Sequence, residues 1–342
     1  MLATPQNARA RRTLVDVTDA LTAIFVAEPD KRAAHRRATA VLAQASREPS
    51  FITGVLEKHL EKRGALEALN YPVVSLTPAS TPYFELAVNC WIPLPSADTN
   101  VTTKAIHHHG TLLLSTATIF GPGYEHLLFT RPELVDREQD RFAMELTEAA
   151  PHPLHHVAFV DAWIPHVPLY PSDLTITLAL WSGSQPTTWK DRVKRIPLFK
   201  KNEKRLRKIA GALGVTKHLD LKVVEYFDYY PSTEGGFRGM RERQEFPLGP
   251  NEHHLRSLFH TIQRTNNAGL ASSLRRSLST CAPATRASAA PLLDALLSDR
   301  PIDGHLSEGH FGVPFANFTK PEIVRAVARR DPPQMSKNQH GR

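Results

Sequence analysis

Ile106-His107-His108-His109-Gly110 sets three imidazoles side by side, and a lone His166 answers them in Trp163-Ile164-Pro165-His166-Val167. On an extended strand alternate side chains share a face, so His107 and His109 point together while His108 points away. That spacing holds the pair about 7 Å apart along one strand. His166 comes much later, just ahead of another strand-like run from Leu174 to Trp181. Two close histidines and one distant one on a β scaffold are the makings of a facial metal site with open positions. A metal centre is expected, with non-haem iron as the ion.

Outward from this block the pattern is one of short strands. Candidates run over 83–92, 104–109, 112–120, 124–129, 142–148, 155–164 and 174–182, with turns at Gly121-Pro122-Gly123 and Pro151-His152-Pro153. No helical period intervenes to supply βαβ crossovers, so the expected core is a β-barrel or sandwich. The ends read differently. Leu14, Val17, Leu21 and Ile24 recur at helical spacing, and Pro29-Asp30 opens a second segment rich in Ala and Arg. Pro49-Ser50 caps a third, with Phe51, Val55, Leu56 and Leu60 on one face. Helical period returns over 201–213, 251–264, 267–279, 285–298 and 320–329. Leu221-to-Tyr230, Gly235-Gly236 and Arg241-to-Phe246 suggest a hairpin added at the barrel edge.

The expected fold class is therefore a mostly β core with α flanks. Its divisions are 1–69 helical, 70–190 β-barrel, 191–250 basic linker with the hairpin, 251–330 helical, and 331–342 a polar, disordered tail.

Composition narrows the class. The 342 residues are 41% hydrophobic, enough for a sizeable core, and include only two cysteines, Cys90 and Cys281. That excludes a disulfide framework and a Cys-based zinc knuckle, and it fits a reducing, cytoplasmic compartment. Met1-to-Arg12 has neither an apolar segment nor a cleavage pattern, so no secretory leader is expected. No apolar run reaches membrane-spanning length. The formal charge of +8 gathers between Lys190 and Lys208 with few aromatics interleaved. That reads as a solvated helix face and linker rather than a nucleic-acid surface.

Taken together, Ile106-to-Gly110, Gly121-Pro122-Gly123-Tyr124-Glu125 and the His166 strand resemble the cupin superfamily. More narrowly they resemble its cysteine-dioxygenase-like branch, which has an Ile-His-x-His first motif and a single late His. The resemblance covers residues 80–185. It implies a small cupin β-barrel (a jelly roll) whose mouth holds one Fe(II), or another divalent metal, on His107, His109 and His166. Three departures follow. General cupins add a carboxylate ligand soon after the His pair, and Thr111-Leu112-Leu113-Leu114-Ser115 has none, which favours a three-His site. Thiol dioxygenases carry a Ser-x-His-x-Tyr relay on the late strand. Here Thr177-Leu178-Ala179-Leu180-Trp181 lacks its His and Tyr, so oxidation of cysteine or mercaptopropionate is not expected. The upstream Arg that would clamp a substrate carboxylate is also missing; Lys104 is the only cation between Arg63 and His107.

Three neutral imidazoles leave a bound dication with up to three open positions, two for a chelating substrate and one for O2. Each imidazole needs an acceptor for its remaining N–H, and Glu125 and Asp161 are the candidates. Tyr124 and Trp181 are candidate pocket walls and catalytic residues. Arg238 or Arg241, near a Tyr226-to-Tyr230 aromatic run, is the expected substitute cation. His155 and His156 sit adjacent on one strand, which leaves open that one of them joins the site. His253 and His260 share a helical face without an acidic partner, and His35 and His59 read as exposed helix residues. The expected function is an Fe(II)-dependent, dioxygenase-like oxygenase using O2 on a small polar substrate. The alternatives are a cupin-fold binding or regulatory protein and a redox-neutral metal-dependent isomerase or lyase. The helical flanks offer a homodimer surface.

Overall fold

Period-two burial sorts the β core into two facing sheets. The computed structural model describes residues 13–67, 73–184, 227–240, 251–304 and 318–328. Strands β1 (Val73–Ser80), β2 (Glu85–Trp91), β4 (Leu112–Phe120), β9 (Val157–Val160) and β11 (Thr175–Gly183) form one sheet, in the order β1-β2-β11-β4-β9. The second contains β3 (Ile106–His107), β5 (Tyr124–Phe129), β6 (Glu133–Asp136), β7 (Arg141–Ala143), β8 (Leu146–His152), β10 (His166–Pro168), β12 (Asp228–Pro231) and β13 (Phe237–Met240). Its order is β6-β7-β13-β12-β3-β10-β5-β8. All ladders between these strands are antiparallel. The expected β core with helical flanks is what the structure shows.

Strand β11 shows the sorting. Ile176, Leu178 and Leu180 face outward into a large helix-covered core, while Thr177, Ala179 and Trp181 face the other sheet. The outer face of the five-stranded sheet is covered by six helices: α1 (Leu14–Ala27), α2 (Lys31–Ala45), α3 (Pro49–Leu60), α4 (Asn251–Arg264), α5 (Ala271–Ser279) and α6 (Pro283–Leu297). The outer face of the eight-stranded sheet is covered by α7 (Lys320–Ala328), whose Ile323 and Ala326 join Ile106, Leu127, Phe129, Val167, Tyr229 and Phe237. Helices α1 to α3 and α4 to α6, far apart in sequence, thus share one apolar core with the five-stranded sheet.

Local chemistry sets the helix starts. Thr13 and Asp16 form a reciprocal capping box on α1, and the Asp30 side chain caps α2. Pro49 occupies the first turn of α3, and the cap is Glu48, without a side-chain bond, rather than the expected Pro49-Ser50 pair. His35 and His59, expected on exposed faces, are buried. His35 sits in α2 and reaches the sheet, its ring nitrogens 2.7 Å from Ser115 Oγ and 3.0 Å from Ser182 Oγ. His59 and His254 both meet the Ala65 carbonyl, at 3.2 and 3.1 Å.

Several strand boundaries differ from expectation. The 104–109 strand stops at His107. The 142–148 strand is split between β7 and β8, and the 155–164 strand shrinks to β9, flanked by His155 at φ 67° and Trp163 at φ 66°. Strands β1 and β6 were not expected, and the His166 strand is the three-residue β10. The hairpin is not an edge addition: β12 pairs with β3 and β13 with β7, inside the sheet. Its second strand is Phe237–Met240, ahead of the expected 241–246, and that stretch lies outside the described residues, as does 201–213. Among the described residues no helix is long and apolar enough to cross a membrane.

Candidate metal centre

Strand pairing itself brings two of the three histidines together. His107, the last residue of β3, stands directly opposite His166, the first of β10. His109 lies past the strand end, where Gly110 at φ 60° turns the chain and its carbonyl accepts from Trp163 N–H at 2.9 Å. The ligand-capable nitrogens of His107, His109 and His166 all lie within 4.8 Å of one another. His109 Nε2 and His166 Nε2 are 3.1 Å apart.

The hydrogen bonds fix which nitrogens carry lone pairs. His107 Nδ1 is 3.0 Å from the Ala105 carbonyl and His166 Nδ1 is 3.2 Å from that of Ile164. A carbonyl only accepts, so each Nδ1 carries the proton and each Nε2 keeps its lone pair. His107 Nε2 is buried with no hydrogen-bond partner. Buried imidazole nitrogens ordinarily have one, so this lone pair aimed at two other imidazoles calls for a Lewis acid. Nitrogens bound at right angles, each about 2.1 Å from one ion, stand about 3 Å apart, as the His109–His166 pair does. The residues therefore fit a divalent metal.

Electrostatics agree. Burial above all, then the charge of Lys104 and the neighbouring imidazoles, holds His107 well below the usual histidine value. His166 is pushed the same way by burial, then by His109 and Lys104. Protons do not compete for these nitrogens near neutrality.

His108 turns the other way, as alternation predicts, onto Trp163, Phe227 and Tyr229, and its Nδ1 accepts from Gly110 N–H at 3.0 Å. It steadies the loop that carries His109.

The other expected residues fall as follows. Trp181 stands edge-on to His109, ring centroids 4.4 Å apart, so it walls the site. Tyr124 is buried one layer back, stacked on His152 at 5.2 Å, and burial pushes its phenol up to about 12. Glu125 and Asp161 do not hold the imidazoles. Lys320 takes Glu125 at 2.6 and 2.9 Å, Arg32 takes Asp161 at 2.8 Å, and the acceptors at His107 and His166 are backbone carbonyls. Both carboxylates lie on faces turned toward helices, where cations reach them first. Arg238 is exposed beside Tyr230 in the hairpin and Arg241 lies outside the described residues; among the described residues, Lys104 is a cation whose charge reaches the site. His155 and His156 are not in the cluster: His155 sits 3.3 Å from Ser46 Oγ, and His156 is exposed against His152. His260 bonds the Ile302 carbonyl at 2.7 Å and shares no metal-holding group with His253. Tyr226 lies outside the described residues, and Phe227 and Tyr229 pack behind His108.

Sequence reasoning missed His126. Its ring is buried and lies 5.2 Å from that of His166. The available signal was parity: on β5, His126 shares a face with Tyr124, already read as a pocket wall. Asp228, buried opposite His107 on β12, was missed as well.

No family model matches the chain, and no curated protein matches it. Among solved structures it is similar to an uncharacterized conserved protein with a double-stranded β-helix domain from Klebsiella pneumoniae, at 10% identity over 34% of this chain and 82% of that one (TM-score 0.23). It is similar to a cupin superfamily protein from Desulfitobacterium hafniense at 12% identity, over 35% of this chain and 84% of that one (TM-score 0.20). It is also similar to the DMSP lyase DddQ from Ruegeria pomeroyi at 11% identity, over 32% of this chain and 47% of that one (TM-score 0.21). The first two are described as a double-stranded β-helix protein and a cupin. At such TM-scores the site is read from its own geometry.

Proposed function

We propose that this chain is a cupin-type metalloenzyme that binds one divalent metal, Fe(II) foremost, on His107, His109 and His166 and acts with O2 on a small polar substrate. The observation that carries the reading is the buried His107 Nε2, unpartnered and converging on two other imidazoles. His107, His109 and His166 would hold the dication, which would supply Lewis acidity and open positions for substrate and O2. The chain's own residues do the rest. The Ala105 and Ile164 carbonyls orient the imidazoles of His107 and His166. Trp181 shields the His109 side from water, and Lys104 adds positive charge that favours an anionic substrate group.

A redox-neutral lyase or isomerase is the second reading, because an indole at 181 and a methyl at 179 stand where the resemblance would place a relay to O2. Metal analysis of purified protein, followed by substrate screening with and without O2, tests both. Stoichiometric iron with O2-dependent turnover supports the oxygenase. Metal-dependent turnover without O2 selects the second reading, and bound metal without turnover leaves a binding protein.

A further inference from the structure

Of the buried polar side chains facing the metal centre, His126 stands apart because the three-His reading leaves it without work. It sits on β5 next to β10, where it is the cross-strand partner of Pro168, two residues beyond His166. It is 4% exposed. Among the described residues its ring meets other rings, Tyr124 at 6.1 Å and His166 at 5.2 Å, and neither of its nitrogens is hydrogen-bonded. Its nitrogens are outside the ligand cluster, which closes on His107, His109 and His166. A neutral imidazole offers one donor and one acceptor, and neither His126 nitrogen is sealed off as His107 Nε2 is, so both open onto the space beside the ligand set. A side chain kept in that state beside a ligand set with open positions calls for a partner that arrives with the substrate.

The charge of the surroundings narrows what arrives. The Lys104 cation acts on His107, His126 and His166 alike, and a bound dication would add to it. The ligand set brings no carboxylate of its own, and the buried Asp228 stands outside it, opposite His107 on β12. A dication on three neutral imidazoles would keep its full charge, and a small oxyanion is the ligand that charge favours.

Resting on the three-His reading, we propose that His126 donates its ring N–H to a small oxyanion, a carboxylate or an enolate, held at an open position of the metal. His126 is then a substrate-anchoring residue and not a fourth ligand. It stands in for the carboxylate clamp that the sequence lacks upstream of the His pair.

The test uses the full-length protein loaded with cobalt(II), with acetate titrated against its visible absorption. Wild type should take one cobalt per chain and shift saturably with acetate. H126F should keep its cobalt affinity within about twofold while acetate binding weakens about tenfold or more, the cost of losing a bond to a charged group. H126Q, which retains an N–H donor, should recover most of that loss. If H126F does not fold, H126N, whose amide reaches less far, replaces it with the same expected loss. The proposal is overturned if acetate leaves the wild-type spectrum unmoved, or if the variant lacking the donor binds acetate as wild type does. It is also overturned if cobalt affinity falls together in the variants, which would make His126 a ligand. A wild type that takes no cobalt sinks the three-His reading and this proposal with it, whereas failure in the variants alone leaves that reading standing.

Discussion

At the scale of the residue, metal content separates ligands from neighbours. Losing a group that merely orients a metal-bound histidine costs about 10–100-fold in affinity, so losing the ligand itself should cost more. His107→Ala, His109→Ala and His166→Ala should each emerge from dialysis nearly metal-free. His108→Ala should keep its metal but melt earlier, since His108 Nδ1 holds the Gly110 amide. Retention of full metal by the three ligand variants would remove the site. A second prediction concerns acid. Burial lowers His35 and His59 to about 4, from 6.5 when unfolded. The unfolded chain therefore takes up these protons first as pH falls. Their contribution to stability is complete above pH 6.5, declines as pH falls toward 4, and changes no further below it. Each proton is worth up to about 1.4 kcal/mol per pH unit in that window. Urea unfolding should show a steep loss between pH 7 and pH 5, flattened in His35→Gln; equal slopes in the two proteins would contradict this. The cluster of three was legible because alternation and a distant third His are sequence patterns. The acceptors of His107 and His166 were not, because backbone carbonyls carry no residue identity.

At the scale of the element, the turn between β4 and β5 decides whether the two sheets close. Gly121 and Gly123 have φ of 83° and 85°, and a Cβ on either would overlap the carbonyl of Leu174 or of His152. Gly121→Ala and Gly123→Ala should each lose at least about 2 kcal/mol, since strain and overlap act together. Because β5 follows directly and pairs with β10, which carries His166, the same variants should bind metal more weakly even when folded, as cobalt titration would show. Wild-type stability in both would mean that the turn relaxes freely. This turn was plain in the sequence, as were β2, β4, β5 and β11, whose apolar runs are long. Short strands were not. The two residues of β3 are what remains of the expected 104–109, and the three of β10 hold no period of their own; both are set by pairing, β3 with β12 and β10 with β5 and β3. The hairpin was legible as a hairpin, but parity fixes only which face a residue takes, not which strands lie beside it. Its place between β3 and β7 therefore had to come from the structure.

At the scale of the whole molecule, the inner threonines and the outer helices are one fact seen from two sides. Strand β11 is buried on both faces, with Thr175 and Thr177 turned inward and Ile176, Leu178 and Leu180 turned toward α1 to α6. The sheet that carries Trp181 is therefore packed against its helices. His35 fastens α2 to β4 and β11 through Ser115 and Ser182, and Arg32 of the same helix takes Asp161, just beyond β9. Short helices are marginal alone, and α1 to α3 are three of the six helices that cover the sheet's apolar outer face. Deleting residues 1–68 should thus expose Leu76, Leu86, Val88, Ile119 and Leu178 together and yield insoluble protein. Buried apolar area contributes about 25 cal/mol per Å2, so losing three of the six covering helices outweighs any stability a single domain has to spare. A 70–190 fragment that stays soluble and binds metal as the full chain does would show that the helices are accessory. An insoluble fragment rescued by adding residues 1–68 as a separate chain would show that they complete the core.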